Sequence, residues 1–135
     1  MYSNILVPVS LDDDRDVISA LRVAKVLSGK DGKITLLHVV EHMPQYSEKL
    51  LPEDHLESAK SAISMKLQPI VDKAEAATLE IVEGHSGRTI VDYAVSHEVD
   101  CIVIASHRPG LQDYLLGSTA ARVVRHAACA VHVVR

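Results

Sequence analysis

Two polar stretches near the C-terminus carry the residue types that hold an anion. Ala105-Ser106-His107-Arg108-Pro109-Gly110 follows the apolar run Cys101-Ile102-Val103-Ile104, and Gly117-Ser118-Thr119-Ala120 opens an amphipathic run ending at His126. A buried strand, a polar loop and a Gly-Ser-Thr helix start together suit phosphate. The first turn of a helix leaves backbone N–H groups without intrahelical partners, at the positive end of the helix dipole. Gly117 admits a close backbone approach, and the Ser118 and Thr119 hydroxyls add donors. A plain helix cap would use the same residues. With Ser118 as the cap, however, the third helical position is Ala121, so no Glu closes a capping box and the first turn carries no acid. Arg108, facing the Gly117 turn, adds a charge suited to phosphate, whereas an Arg in a polar loop is ordinarily solvated. His107 reads as a surface or supporting residue rather than a catalyst.

Other constellations fail on spacing. Gly29-Lys30-Asp31-Gly32-Lys33 lacks the Ser or Thr of a Walker loop, because Ile34 follows Lys33, and it lies between a helix and a strand. It reads as a turn. Gly84-His85-Ser86-Gly87 lies between a strand and a helix, as a nucleophile elbow does. Its second glycine follows the serine directly, where Gly-x-Ser-x-Gly is required. It reads as a turn in which Ser86 caps the next helix. The eight histidines are scattered and show no zinc-ligand spacing, so no metal site is expected. Asp12-Asp13-Asp14 reads as a solvated loop and an acid-rich helix start, with any help to a divalent cation on a bound triphosphate secondary. No positioned general base or intact nucleophile motif emerges, and no catalytic residue is assigned.

These residues must be held by an alternating scaffold. Ile5-Leu6-Val7-Pro8-Val9 reads as a first strand buried on both faces, with Pro8 at its end or at a bulge. A helix from Asp13 or Asp14 to about Ser28 places Val17, Leu21, Ala24 and Leu27 on one face, and Gly29 and Gly32 turn the chain. Lys33 to Val40 is strand two, and Glu41 to Glu53, with two prolines, is a long loop. A second helix carries Leu56, Ala59, Ile63, Leu67, Ile70 and Ala74 at steps of three and four, with a kink or break expected at Pro69. Thr78 to Glu83 is strand three. The third helix runs from Ser86 or Gly87 to Glu98, with Ile90, Val91, Ala94 and Val95 inward. Asp100 to Ala105 is strand four, Ser118 to His126 the fourth helix, and Ala130 to Val134 strand five. Such alternation implies a parallel, doubly wound sheet with right-handed crossovers. Ligands bind such sheets at the carboxyl ends of the strands, where strand order switches. The loops after strands one, two and four then meet: Val9-Ser10, His38-Val39-Val40, and Ser106 to Gly117.

The bulk properties fit one domain, residues 1–135, with a 47% apolar share, no Phe or Trp and four Tyr. A net charge of −4 points away from nucleic acid and anionic membrane surfaces as partners. No membrane span is expected, and Met1-Tyr2-Ser3-Asn4 leads into no long apolar stretch, so neither is a signal peptide. Cys101 and Cys129 read as reduced, largely buried thiols of a cytoplasmic protein rather than a disulfide framework.

Taken together, Asn4 to Val9, Leu36-Leu37-His38-Val39-Val40-Glu41, Val82-Glu83-Gly84, and above all Asp100 to Arg135 resemble the universal stress protein family over nearly the whole chain. Ala105-Ser106-His107-Arg108-Pro109 looks like the F- and G-type bacterial branch. ATP-binding members carry Gly-x2-Gly-x9-Gly-Ser/Thr. Gly117-Ser118 matches the final pair, Ala105 stands at the first glycine, and the second is replaced by Arg108 or deleted. Ser10 stands where many members have Asp. The resemblance implies a Rossmann-like sandwich of the adenine nucleotide alpha hydrolase kind, a five-stranded parallel sheet with four helices on both faces. It implies an adenine slot lined by Pro8, Val9 and Val39, ribose near Ser10, and phosphates over Ala105, Ser106, His107 and Arg108 and over Gly117, Ser118 and Thr119. The ligand would be ATP, ADP or AMP, with Mg2+ as a helper. It further implies a homodimer paired through strand five, or a tetramer, in a signalling or protective role. A non-nucleotide interaction module of the same family and a slow ATPase are the alternatives.

Overall fold

The computed structural model describes residues 1–10, 14–41, 54–106 and 116–135. Among them, β1 (Tyr2–Pro8), α1 (Asp14–Leu27), β2 (Ser28–Glu41), α2 (His55–Asp72), β3 (Ala77–Gly84), α3 (Ser86–Ser96), β4 (Cys101–Ala105), α4 (Ser118–His126) and β5 (Ala130–Val134) follow in order. The strands form one parallel sheet in the order β3-β2-β1-β4-β5. The chain therefore winds outward from β1 through β2 to β3, returns to the other side of β1, and winds outward again. The switch point lies between β1 and β4.

Both faces of the sheet are covered, which is why Ile5-Leu6-Val7 of β1 and Cys101-Ile102-Val103-Ile104 of β4 are continuous apolar runs. Side chains alternate along a strand, so Ile5 and Val7 face one way and Leu6 the other. Ile5, Val7, Ile34, Leu36, Cys101 and Val103 pack against Val17, Ala20, Leu21 and Ala24 of α1 and Val71 of α2. On the opposite face Leu6, Leu37, Val39, Ile102 and Ile104 pack against Ile90 and Ala94 of α3 and Ala120 and Val123 of α4. Leu6 and Leu37 are wholly buried; burial of such a side chain stabilises by about 1.5–3 kcal/mol.

The amino ends of β1 and β4 are fastened by side chains. The Asp100 carboxylate accepts from the Ser3 amide (2.9 Å), the Ser3 hydroxyl (3.0 Å) and the Asn4 amide (3.0 Å). Asn4 Nδ2 donates to the carbonyls of His97 (2.8 Å) and Glu98 (3.2 Å), and the Asp100 amide donates to the Asn4 carbonyl at 3.0 Å. Partial burial pushes the Asp100 carboxyl up, but the donors from Ser3 and Asn4 outweigh it and hold the group below its ordinary value. This staple supplements a short ladder. Among the described residues, β1 and β4 are in register at Ile5↔Cys101 and Leu6↔Ile102, whereas β1 and β2 stay in register up to Pro8↔Leu37.

Several local expectations are corrected. β2 begins at Ser28, not Lys33. Tyr2 pairs with Ser28 and Asn4 with Lys33, so the Gly29–Gly32 stretch is an irregularity inside the strand rather than a separate turn. α2 continues through Pro69 to Asp72. A proline so near the end of a helix forfeits one bond, to the carbonyl four residues earlier, and only one turn remains to disturb. Ala74 lies beyond that helix. Ile90 and Ala94 are buried as expected, but Val95 is 63% exposed, because one step past Ala94 turns the side chain about 100° out of the apolar stripe. His85, not Ser86, is the cap of α3, and α3 ends at Ser96. Pro8 ends β1, as predicted from its missing N–H.

Candidate functional site

β1 stops where proline cannot continue the ladder. Pro8 is buried, and the following Val9 amide still donates to the Leu37 carbonyl at 2.9 Å. The Val9 carbonyl is 3.0 Å from Nδ1 of His38. Val9 is half-buried and Ser10 exposed, so the chain turns outward there. Val39 is buried on the α3–α4 face of β2. Backbone groups of a strand alternate between its two neighbours, and Leu37 turns its carbonyl toward β1. Val39, two residues on, therefore presents its N–H and C=O on that same edge, beside the point where β1 leaves.

On the other side of the switch point, β4 remains tied to β5. Ala105 is registered with Val134, and the Ser106 amide donates to the Val134 carbonyl at 2.9 Å. Ser106 is buried, and its N–H is spent on β5. His107 and Arg108 lie outside the described residues, as do Asp12 and Asp13.

The start of α4 is a glycine cap followed by small polar residues. Gly117 is its cap, at φ −62° and ψ 158°, so the cap falls one residue earlier than Ser118. The Gly117 carbonyl accepts the first helical bond, from the Ala121 amide at 2.9 Å. The amides of Ser118, Thr119 and Ala120 precede that bond and belong to the unpaired first turn. Among the described residues no side chain caps this turn, and no acid occupies it. Ser118 is exposed and Thr119 half-buried. The Thr119 hydroxyl turns sideways, 3.2 Å from that of Ser86, so Thr119 offers a ligand chiefly its amide.

That hydroxyl pair joins the starts of α3 and α4. The Ser86 amide donates to Oε1 of Glu41, at the end of β2, at 3.1 Å. The first turn of α3 thus receives a carboxylate from the protein itself, whereas among the described residues the first turn of α4 receives none. The helices approach closely: a Cβ on Gly87 would lie 2.7 Å from Cδ of Arg122. Gly84, at φ +154°, admits no side chain either, since a Cβ would run into Thr89. The sequence offers Ser86 only as a cap, and the Glu41 contact spans 45 residues. The one local signal for it is an acid that ends a strand shortly before a helix start.

Pro8, Val9, Ser10, Val39, Ala105, Ser106, Gly117, Ser118 and Thr119 all lie at the carboxyl end of the sheet or on the helix start that follows it. A model of the universal stress protein family matches residues 1–135. The chain belongs to that family. It is 32% identical to universal stress protein G of Salmonella typhimurium, covering all of both chains. Among solved structures it is similar to universal stress protein UspA from Lactobacillus plantarum, with 31% identity, a TM-score of 0.74, and coverage of 99% of this chain and 98% of that one. The fold is shared with a universal stress protein in complex with cAMP (20% identity, TM-score 0.72, 99% and 97% covered). It is shared also with one from Archaeoglobus fulgidus in complex with dAMP (18% identity, TM-score 0.69, 99% and 98% covered). Among the described residues of this family member, no helix is long and apolar enough to cross a membrane.

Proposed function

We propose that this universal stress protein binds an adenine nucleotide at the carboxyl ends of β1, β2 and β4, and acts as a binding protein in a signalling or protective assembly. The start of α4 carries this reading. Its first-turn amides, with neither an acid nor a side-chain cap among the described residues, offer a seat for phosphate at the switch point of the sheet. Pro8, Val9 and Val39 would line the base, with the Val39 N–H and C=O meeting the donor and acceptor edge of adenine. Ser10 would meet the ribose. Ala105, Ser106, His107 and Arg108 would lie along the phosphates opposite Gly117, Ser118 and Thr119. The cAMP and dAMP complexes of two proteins with this fold support the ligand class. ATP with Mg2+ is the extended form of the same ligand, and Arg108 would meet its added charge.

Binding rather than turnover suits the hydroxyls present. Ser86 pairs with a second neutral hydroxyl, that of Thr119, rather than with a base that would activate it. A homodimer would form along β5, which is an edge of the sheet with half-buried Val131 and Val133 between exposed Ala130 and His132. Sedimentation tests the dimer. Mass spectrometry of denatured, freshly purified protein, followed by calorimetric titration with AMP, ADP and ATP, tests the ligand. Release or binding of any of the three supports the reading, and neither with all three rejects it.

A further inference from the structure

We propose that His38 is a positioning residue for the base end of this site, acting through the Val9 carbonyl. The proposal rests on the adenine nucleotide reading and names a residue outside the expected contact set. In a parallel ladder a residue gives its N–H to one partner and accepts from the residue two further along. Val9 does the first, donating to Leu37. The next rung would bring the Val39 N–H onto the Val9 carbonyl. His38 Nδ1 stands 3.0 Å from that carbonyl. A carbonyl only accepts, so Nδ1 carries the proton and donates. The imidazole thus takes over the acceptor on which the ladder would have continued.

Two consequences follow. Val9 is fixed at both its amide and its carbonyl, although it lies one residue past the end of β1. The Val39 N–H, deprived of the Val9 carbonyl, is left on the edge where β1 departs. The side chain reaches Val9 from the other face of the sheet: Leu37 and Val39 face α3 and α4, so His38 between them faces the side of α1 and α2. It supports the base without standing in its way.

The test compares three variants with the same adenosine ligands. His38→Asn carries an amide nitrogen close to where Nδ1 stands, His38→Gln carries it farther out, and His38→Leu carries none. Loss of one neutral hydrogen bond that orders the site should weaken AMP binding about fivefold to tenfold in His38→Leu and His38→Gln. His38→Asn should remain within about twofold of wild type, because it keeps the donor. The loss should be equal for adenosine, AMP and ATP, since His38 acts at the base and not at the phosphates. Thermal melts of the unliganded variants separate this effect from general destabilisation. Long-range nitrogen NMR of unliganded wild type should show the His38 proton on Nδ1. An Nε2-protonated ring, equal affinities in Asn and Gln variants, or a loss that grows with phosphate number would overturn the role. If wild type binds AMP and His38→Leu binds it as well, His38 alone is misassigned. If wild type binds no adenosine ligand, the nucleotide reading fails with it, whatever the NMR shows.

Discussion

Replacing Asp100 with Ala removes an acceptor that serves three donors at once. Its carboxylate takes the Ser3 amide, the Ser3 hydroxyl and the Asn4 amide, all between 2.9 and 3.0 Å. A hydrogen bond to a charged group contributes about 1.5–3 kcal/mol where it is sheltered. The Ser3 contacts are exposed and the Asn4 contact half-buried, so solvent screening reduces that sum to an expected loss of about 2–3 kcal/mol. For a domain of this size that lowers the melting temperature by roughly 6–12 °C. Asp100→Asn keeps one acceptor oxygen and turns an amide toward donors, so it should lose about half as much. The sign with pH is fixed by the depressed carboxyl. The stabilisation is complete above the ordinary carboxylate pKa of about 4, and is lost as pH falls through the lower folded value. Melting curves of wild type and Asp100→Asn followed by circular dichroism should therefore differ most near neutral pH and converge below about pH 4. A cost under about 0.5 kcal/mol for Asp100→Ala, within the range of an ordinary surface change, would refute the staple. So would a gap between wild type and Asp100→Asn that stays constant on acidification.

Gly117→Asp places a carboxylate where the α4 start offers none. The φ −62° and ψ 158° there suit any residue, so the variant should gain a few tenths of a kcal/mol as a better cap and lose at least about tenfold in AMP affinity through occupation of the anion seat. Unchanged calorimetric affinity would contradict the phosphate placement. Arg108→Ala should weaken ATP more than AMP, and an equal loss in both titrations would exclude a polyphosphate role. Burial pushes the Cys101 thiol up to about 11, so only about one thiol in ten thousand is ionised at pH 7. Native protein should therefore be alkylated at Cys101 only as fast as it unfolds, while rapid modification of folded protein would contradict its burial.

The order of elements was legible because buried parallel strands write themselves as apolar runs, and helices as stripes at steps of three and four. Ile5-Leu6-Val7 and Cys101-Ile102-Val103-Ile104 could be little else. Alternation implied a doubly wound sheet with the loops after strands one, two and four together, and the pairing order places the switch point between β1 and β4. What escaped was set by partners distant in sequence. Ser28 joins β2 only because Tyr2 runs beside it. Ser86 looked like a cap, but its amide goes to Glu41 and its hydroxyl to Thr119. Ser106 stood among the expected phosphate contacts, but its amide serves β5. His38 stood among the segments expected at the ligand end but without a contact of its own, since that contact depends on where β1 ends. The Gly117 start of α4 was legible to within one residue because its chemistry is local.

Nucleotide binding at the α4 start is tested most directly by calorimetric titration of AMP into protein stripped of nucleotide, with Gly117→Asp as the paired variant. Saturable binding of one AMP per chain, abolished or weakened at least about tenfold by Gly117→Asp, is the expected result. No heat with AMP, ADP or ATP, and no nucleotide released from freshly purified protein, would contradict it.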